Sequence, residues 1–336
     1  METVHEVLTA LAERYAFGEV SALIDDGADA RVLDAETVAA IQQLCVFGQR
    51  LLDLDAEDFG AADTADGKAL PAGLRDAVPL ELRARAVACR MPQAPKEPHR
   101  GALGSLRPAY QLLLEVIDAR WRRHENTAVV SAIHIASEYA PLLVWERVLG
   151  HAGDPLRLPD AVGGEGSLWG DFDDRACPHT KAEKSAAHRV LKVGHEPPSG
   201  WQTYLDRQHS TVAGALRVCA IGCPQPCTVL RRLSAAQTQL VADGCRLAFT
   251  LNTSAIVKLR HSAPVGHGFG VPSRDEVLEA WQRTRTSLAR HAPAIEQDDG
   301  FALPGLTILF SELAGTALTP ATMVADTAKA LAATLG

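Results

Sequence analysis

Apolar residues recur every three to four positions through most of this chain, the period of a helix with one buried face. Over Glu2–Tyr15 that face holds Val4, Val7, Leu8, Leu11 and Ala12, and over Glu36–Leu54 it holds Val38, Ile41, Leu44, Cys45, Leu51 and Leu52. Leu74–Met91 and Pro108–Arg123 continue the pattern, the latter with proline in its first turn, where a fixed φ suits a helix start. Asn126–Leu149 is apolar on nearly every side, which predicts a helix at the centre of a bundle. Another helix is expected through Trp201–Val218.

Breaks between these segments follow from composition. Asp55–Gly73 is acidic and rich in Gly and Ala, and Gly150–Gly170 is rich in Gly and Pro. Pro92–His99 holds three prolines, each removing a donor and restricting the residue before it. Asp171–Gly200 is polar, with scattered His and Cys. Ser234-Ala-Ala-Gln237 and Ser273-Arg-Asp-Glu276 have capping-box spacing, the first before a short helix and the second before Val277–His291. Thr319-Pro320 is read as N-cap and first residue of the last helix. Arg246–Arg260 is ambiguous. Leu247, Phe249 and Leu251, then Ala255, Val257 and Leu259, alternate around Asn252-Thr-Ser as in a β-hairpin, and a buried helix competes. The expectation is a mainly α fold: one helical-bundle domain over 1–336, long internal loops at 92–106 and 150–200, and a small hairpin as its one β feature.

The chain has 336 residues, 47% apolar and 22% charged, which is globular composition. A net charge of −8 without a Lys/Arg block argues against nucleic acid as a partner. The first residues lack a basic segment followed by an apolar one, and no apolar run is read as reaching the roughly 20 residues of a bilayer span, so a cytoplasmic protein without a membrane partner is expected. Seven cysteines are read as thiols. The oligomeric state, homo-oligomer included, stays open.

Candidate chemistry centres on histidine. His134 and Glu138 lie four apart, hence on one helix face, as metal ligands, an acid/base pair or a buried histidine with its neighbour. Cys177-Pro-His179, His188 and His195 precede Cys219, Cys223 and Cys227, whose spacing is not that of a zinc ribbon; a soft-metal site and simple core filling are both open. Gly266-His-Gly-Phe-Gly270 leads into a helix N-terminus, a place for a carboxylate or propionate or an ordinary helix entry. The elbow of serine hydrolases, the dinucleotide fingerprint, the P-loop and Cys-x-x-Cys-His are all absent, so any heme is expected to be non-covalent.

Two segments together resemble the tryptophan dioxygenase superfamily of histidine-ligated heme proteins. Val130–Leu149, with His134, Glu138, Tyr139 and Trp145, is similar to that family's distal helix, although Pro141 and three extra residues precede Trp145. Tyr204-Leu-Asp-Arg207-Gln-His209 with Val212 resembles the proximal helix; the loop from Gly222 departs from the family's Gly/Ser-rich form. Chain length and helical content fit the bacterial heme-dependent aromatic oxygenases of natural-product pathways, tyrosine hydroxylases among them. The resemblance implies a heme b with His209 as proximal ligand, and Arg207 and Arg260 among the cofactor-binding residues. It implies a distal histidine, His134 by motif or His99 by its place after the proline-rich loop. The substrate it implies is an aromatic amino acid, L-tyrosine or a tyrosine or tryptophan derivative, its carboxylate held by Arg260 or the Gly266–Gly270 loop. The oxidant is O₂ or hydrogen peroxide. A non-heme zinc or iron protein using the His/Cys cluster and a non-catalytic helical scaffold are the alternatives.

Overall fold

The computed structural model describes residues 4–27, 33–56, 77–162, 180–181, 196–222, 228–262 and 270–336. The fold is mainly α, and no strand occurs among the described residues. In chain order the helices are α1 (Val4–Glu13), α2 (Phe17–Asp25), α3 (Ala35–Leu52), α4 (Leu80–Cys89), α5 (Gly101–Gly104), α6 (Arg107–Arg122), α7 (Asn126–Leu149), α8 (Leu158–Val162), α9 (Gly200–Gly222), α10 (Thr228–Arg231), α11 (Ala235–Asn252), α12 (Ala255–Ser262), α13 (Arg274–Ala289), α14 (Leu306–Ala314) and α15 (Met323–Leu335).

The hairpin expected over 246–260 is corrected to the end of α11 and all but the last residues of α12. The Ser234 capping box forms and opens an 18-residue helix rather than a short one. Leu247 and Leu251 are buried one turn apart, while Phe249 between them is exposed beneath Arg217, so the alternation belongs to opposite faces of a helix. The Ser273 box also forms. Glu2–Tyr15 is shortened to α1 and followed by α2, because Tyr15 adopts a left-handed backbone (φ 60°) that ends the first helix. The last helix begins at Met323 rather than at Pro320. The N–H of Ala321 is drawn off to the carbonyl of Gln111, and Pro320 stays in the approach to the helix.

Two apolar clusters form the interior. The larger surrounds α7, against which α6, α9, α11, α12 and α14 pack. The smaller joins α1, α2 and α3 to α4 and α15. Helix α6 serves both: Leu113, Leu114 and Ile117 face the first cluster, and Leu112, Val116 and Ala119 the second. Buried carboxylates tie helix starts across this frame. Glu146 accepts from Ser105 Oγ (2.6 Å) and the Leu106 N–H (3.0 Å) at the entry to α6, and Glu115 accepts from the Ala325 N–H (3.0 Å) in the first turn of α15. Both place negative charge at a helix N-terminus.

Helix α7 runs unbroken through Pro141. It is also long and apolar enough to cross a membrane, the one such helix among the described residues, and 61% of its apolar window is buried inside the bundle.

Candidate functional site

Leu205, His209, Val212, Leu216 and Cys219 fall on one side of α9, and all are buried. Their spacing of three to four residues turns that side toward α7. A histidine in the middle of such a stripe must be desolvated, and His209 is 1% exposed.

The chain after α7 closes over this ring. Gly150 ends α7 in the left-handed conformation, and Gly153 repeats it at φ +76°. A Cβ on Gly153 would lie 3.1 Å from Leu142 Cδ2 and 3.1 Å from Val212 Cγ1, so glycine lets the turn seat between α7 and α9. Ala152 is thereby fixed at both ends. Its N–H donates to Leu103 O (3.0 Å), and its carbonyl accepts from His209 Nε2. Because a carbonyl only accepts, Nε2 carries the proton and Nδ1 carries the lone pair. That Nδ1 is buried and has no hydrogen-bond partner. Burial lowers the His209 pKa to about 4, against the opposing pull of the Ala152 carbonyl, so the ring is neutral near pH 7.

Beside it lies a second buried polar group. Asp154 is fully buried and receives Arg100 through two bonds, Nε at 2.9 Å and Nη2 at 2.7 Å. Burial would raise its carboxyl, but the hydrogen bonds from Arg100 and the Leu156 N–H and the guanidinium charge bring it below the usual carboxylate range. The Asp154 N–H donates to His151 Nδ1 (2.9 Å). His151 is also neutral, its pKa lowered to about 4 by burial and then by the charge of Arg157.

Tyr139 stands beside the His209 ring, with centroids 5.4 Å apart and planes tilted by 40°. Its hydroxyl donates to the carboxylate of Asp206, one turn before His209. Burial and then the Asp206 charge raise the Tyr139 pKa, so the hydroxyl keeps its proton. One residue earlier, Glu138 faces His134 at 3.4 Å between Oε1 and Nε2. Burial raises the Glu138 carboxyl and Asp206 adds to the effect, while the charge of Arg260 opposes it.

The structure therefore pairs His134 with Glu138 on α7, within the field of the half-buried Arg260, and places Tyr139, the next residue, against His209. Arg207 is exposed on α9, and His99 is exposed in the proline-rich loop, where its neighbour Arg100 turns in to Asp154. Cys219 is a buried thiol. Cys177, His179, His188, His195, Cys223 and Cys227 lie outside the described residues, as does most of the Gly266–Gly270 loop. Among the described residues no group of three or more His, Cys, Asp or Glu is placed to hold a metal ion. Arg100, His151 and Asp154 were not anticipated from the sequence; their one signal is His-Ala-Gly-Asp directly after a glycine at the end of a long helix.

A heme can be tested against this arrangement in two ways. The donor fits: a neutral imidazole, anchored by a carbonyl on one nitrogen, presents a free lone pair on the other. The cavity beyond Tyr139 does not supply room for a macrocycle, since His209 is not in its lining. The cavity bounded by Tyr139 and Asp206 holds about 140 Å³, under half the lower end of the roughly 300–1,000 Å³ of typical ligand pockets. The described residues alone do not enclose a porphyrin.

The chain matches no family model, no curated protein and no solved structure.

Proposed function

We propose that His209 would hold the iron of a heme b in an oxidoreductase that oxygenates an aromatic amino acid, with O₂ or peroxide as oxidant. The observation that carries this reading is the state of one imidazole: enclosed by the bundle, neutral, held at Nε2 by Ala152 and without a partner at Nδ1. An unmet polar atom in a protein interior is costly and calls for a reason, and coordination of iron is one. When bound, heme supplies the oxidising power. The chain's own part is to fix the tautomer of His209 through Ala152. The His134–Glu138 pair, in which burial raises the Glu138 carboxyl against the opposing charge of Arg260, is the candidate proton carrier.

The test is an absorption spectrum of protein produced with ample heme supply. A Soret band is expected in the wild type, absent in His209→Ala and retained in His134→Ala. A colourless wild type, or a full band without His209, overturns the assignment. Iron or zinc without porphyrin would instead favour a non-heme centre.

The buried bond from His209 Nε2 to the Ala152 carbonyl favours a second reading, in which His209 is a structural tie between α9 and the turn after α7. A metal-free protein whose stability drops on loss of His209 would support it.

A further inference from the structure

The cavity on the far side of Tyr139 has a character that the reading of His209 does not use. Leu106, Ala109, Leu113 and Ala136 form apolar walls, and Tyr110 and Tyr139 add ring surface. Both tyrosine hydroxyls are engaged elsewhere, Tyr110 with Ala136 O at 2.5 Å and Tyr139 with Asp206. Two charged residues complete the lining, Arg90 and Asp206. The Arg90 side chain is 1% exposed, and its charge is met by Glu97, which takes both terminal nitrogens. Its Nε–H is buried and has no partner. Asp206 is exposed where the cavity opens beside the exposed Ile135. One hydroxyl from Tyr139 leaves most of the acceptor capacity of its two oxygens.

Volume and charge together select an occupant. About 140 Å³ is close to the roughly 150 Å³ apolar cavity that takes up a single benzene ring. With the cation already paired, the charge left at the mouth is negative. We propose that this cavity binds a small monocyclic amine without a carboxylate, its ring between α6 and α7 and its ammonium on Asp206. A ligand oxygen acting as acceptor would meet the Arg90 Nε–H. The site does not depend on what His209 holds, and an amino acid's carboxylate would find no unmatched cation in it.

Calorimetric titration of the full chain with phenethylamine, tyramine, phenylalanine and phenylacetate tests this. Phenethylamine is expected to bind at about millimolar Kd, tyramine more tightly through its phenolic oxygen, and phenylacetate and phenylalanine at least tenfold more weakly. Asp206→Asn, an exposed change, should weaken phenethylamine about fivefold, as expected for one partly solvated ion pair. Ala109→Phe should fill the cavity and abolish binding, with an unchanged helical spectrum showing that the fold persists. Phenylalanine or phenylacetate binding as well as phenethylamine, or Asp206→Asn leaving its affinity intact, overturns the proposal. Equal affinities for tyramine and phenethylamine remove Arg90 from recognition. A heme spectrum, present or absent, leaves these outcomes unaffected.

Discussion

His209 and Ala152 are 57 residues apart in sequence and joined by one buried hydrogen bond, imidazole to carbonyl. That bond sets the tautomer of the ring and holds the turn after α7 on α9. Glutamine has a side-chain amide that can replace the N–H but offers no imidazole lone pair. His209→Gln is therefore expected to keep most of the stability lost in His209→Leu, which would strand the Ala152 carbonyl at about 1–3 kcal/mol. Urea unfolding of the two variants checks this, and equal losses would show that the bond contributes little.

Arg100 reaches the fully buried Asp154 through a two-bond pair. Removing one partner of a buried pair leaves an uncompensated charge, so Arg100→Ala is expected to cost about 3–5 kcal/mol. The double variant Arg100→Met with Asp154→Leu should recover part of that loss. A single-variant penalty below about 1 kcal/mol would mean that water reaches the carboxylate.

The two neutral histidines make stability depend on pH. Each has its folded pKa lowered from 6.5 to about 4, so between those values the unfolded chain binds the proton more readily than the folded one. Stability from this source is complete above about pH 6.5 and is lost as pH falls toward 4. His209 alone would account for about 3 kcal/mol across that window. Denaturant midpoints from pH 7.5 down to 4 should fall steeply in the wild type and less steeply in His209→Gln. Parallel curves would show that His209 does not bind an extra proton on unfolding.

Gly153 combines a left-handed backbone with two side chains at 3.1 Å from any added Cβ. Gly153→Ala is expected to lose at least the roughly 1–2 kcal/mol of that conformation for an L residue. Gly300, also left-handed (φ +71°) but with nothing near its Cβ position, is the control, where alanine should cost the conformational part alone. Thermal unfolding of both variants separates strain from crowding.

Much of the helical frame can be read from local pattern because its causes are local. Both serine capping boxes join atoms three residues apart, and the burial of His209 follows from its place between Leu205 and Val212 on a single helix face. The misread segment at 246–260 shows where period fails. Residues i and i+4 of a helix share a face and i+2 lies opposite, so three alternate apolar residues fit a strand or a helix until burial distinguishes them. The surroundings of His209 were hidden for another reason. The bonds from Arg100 to Asp154 span 54 residues, and their pairing depends on how a glycine turn redirects the chain, which no nearby spacing encodes.

Helix α15 rests on α1 and α3, and its Met323, Val324, Ala328, Leu331 and Leu335 sit in the same apolar cluster as Leu8, Phe17 and Leu44. During synthesis the opening helices emerge roughly three hundred residues before the segment that covers them, about 15–60 s at ordinary elongation rates. Helices α4 and α6 can cover part of that cluster earlier, but the sides of α1 and α3 that α15 will cover stay open to solvent or a chaperone until it is made, so this lobe cannot close before then.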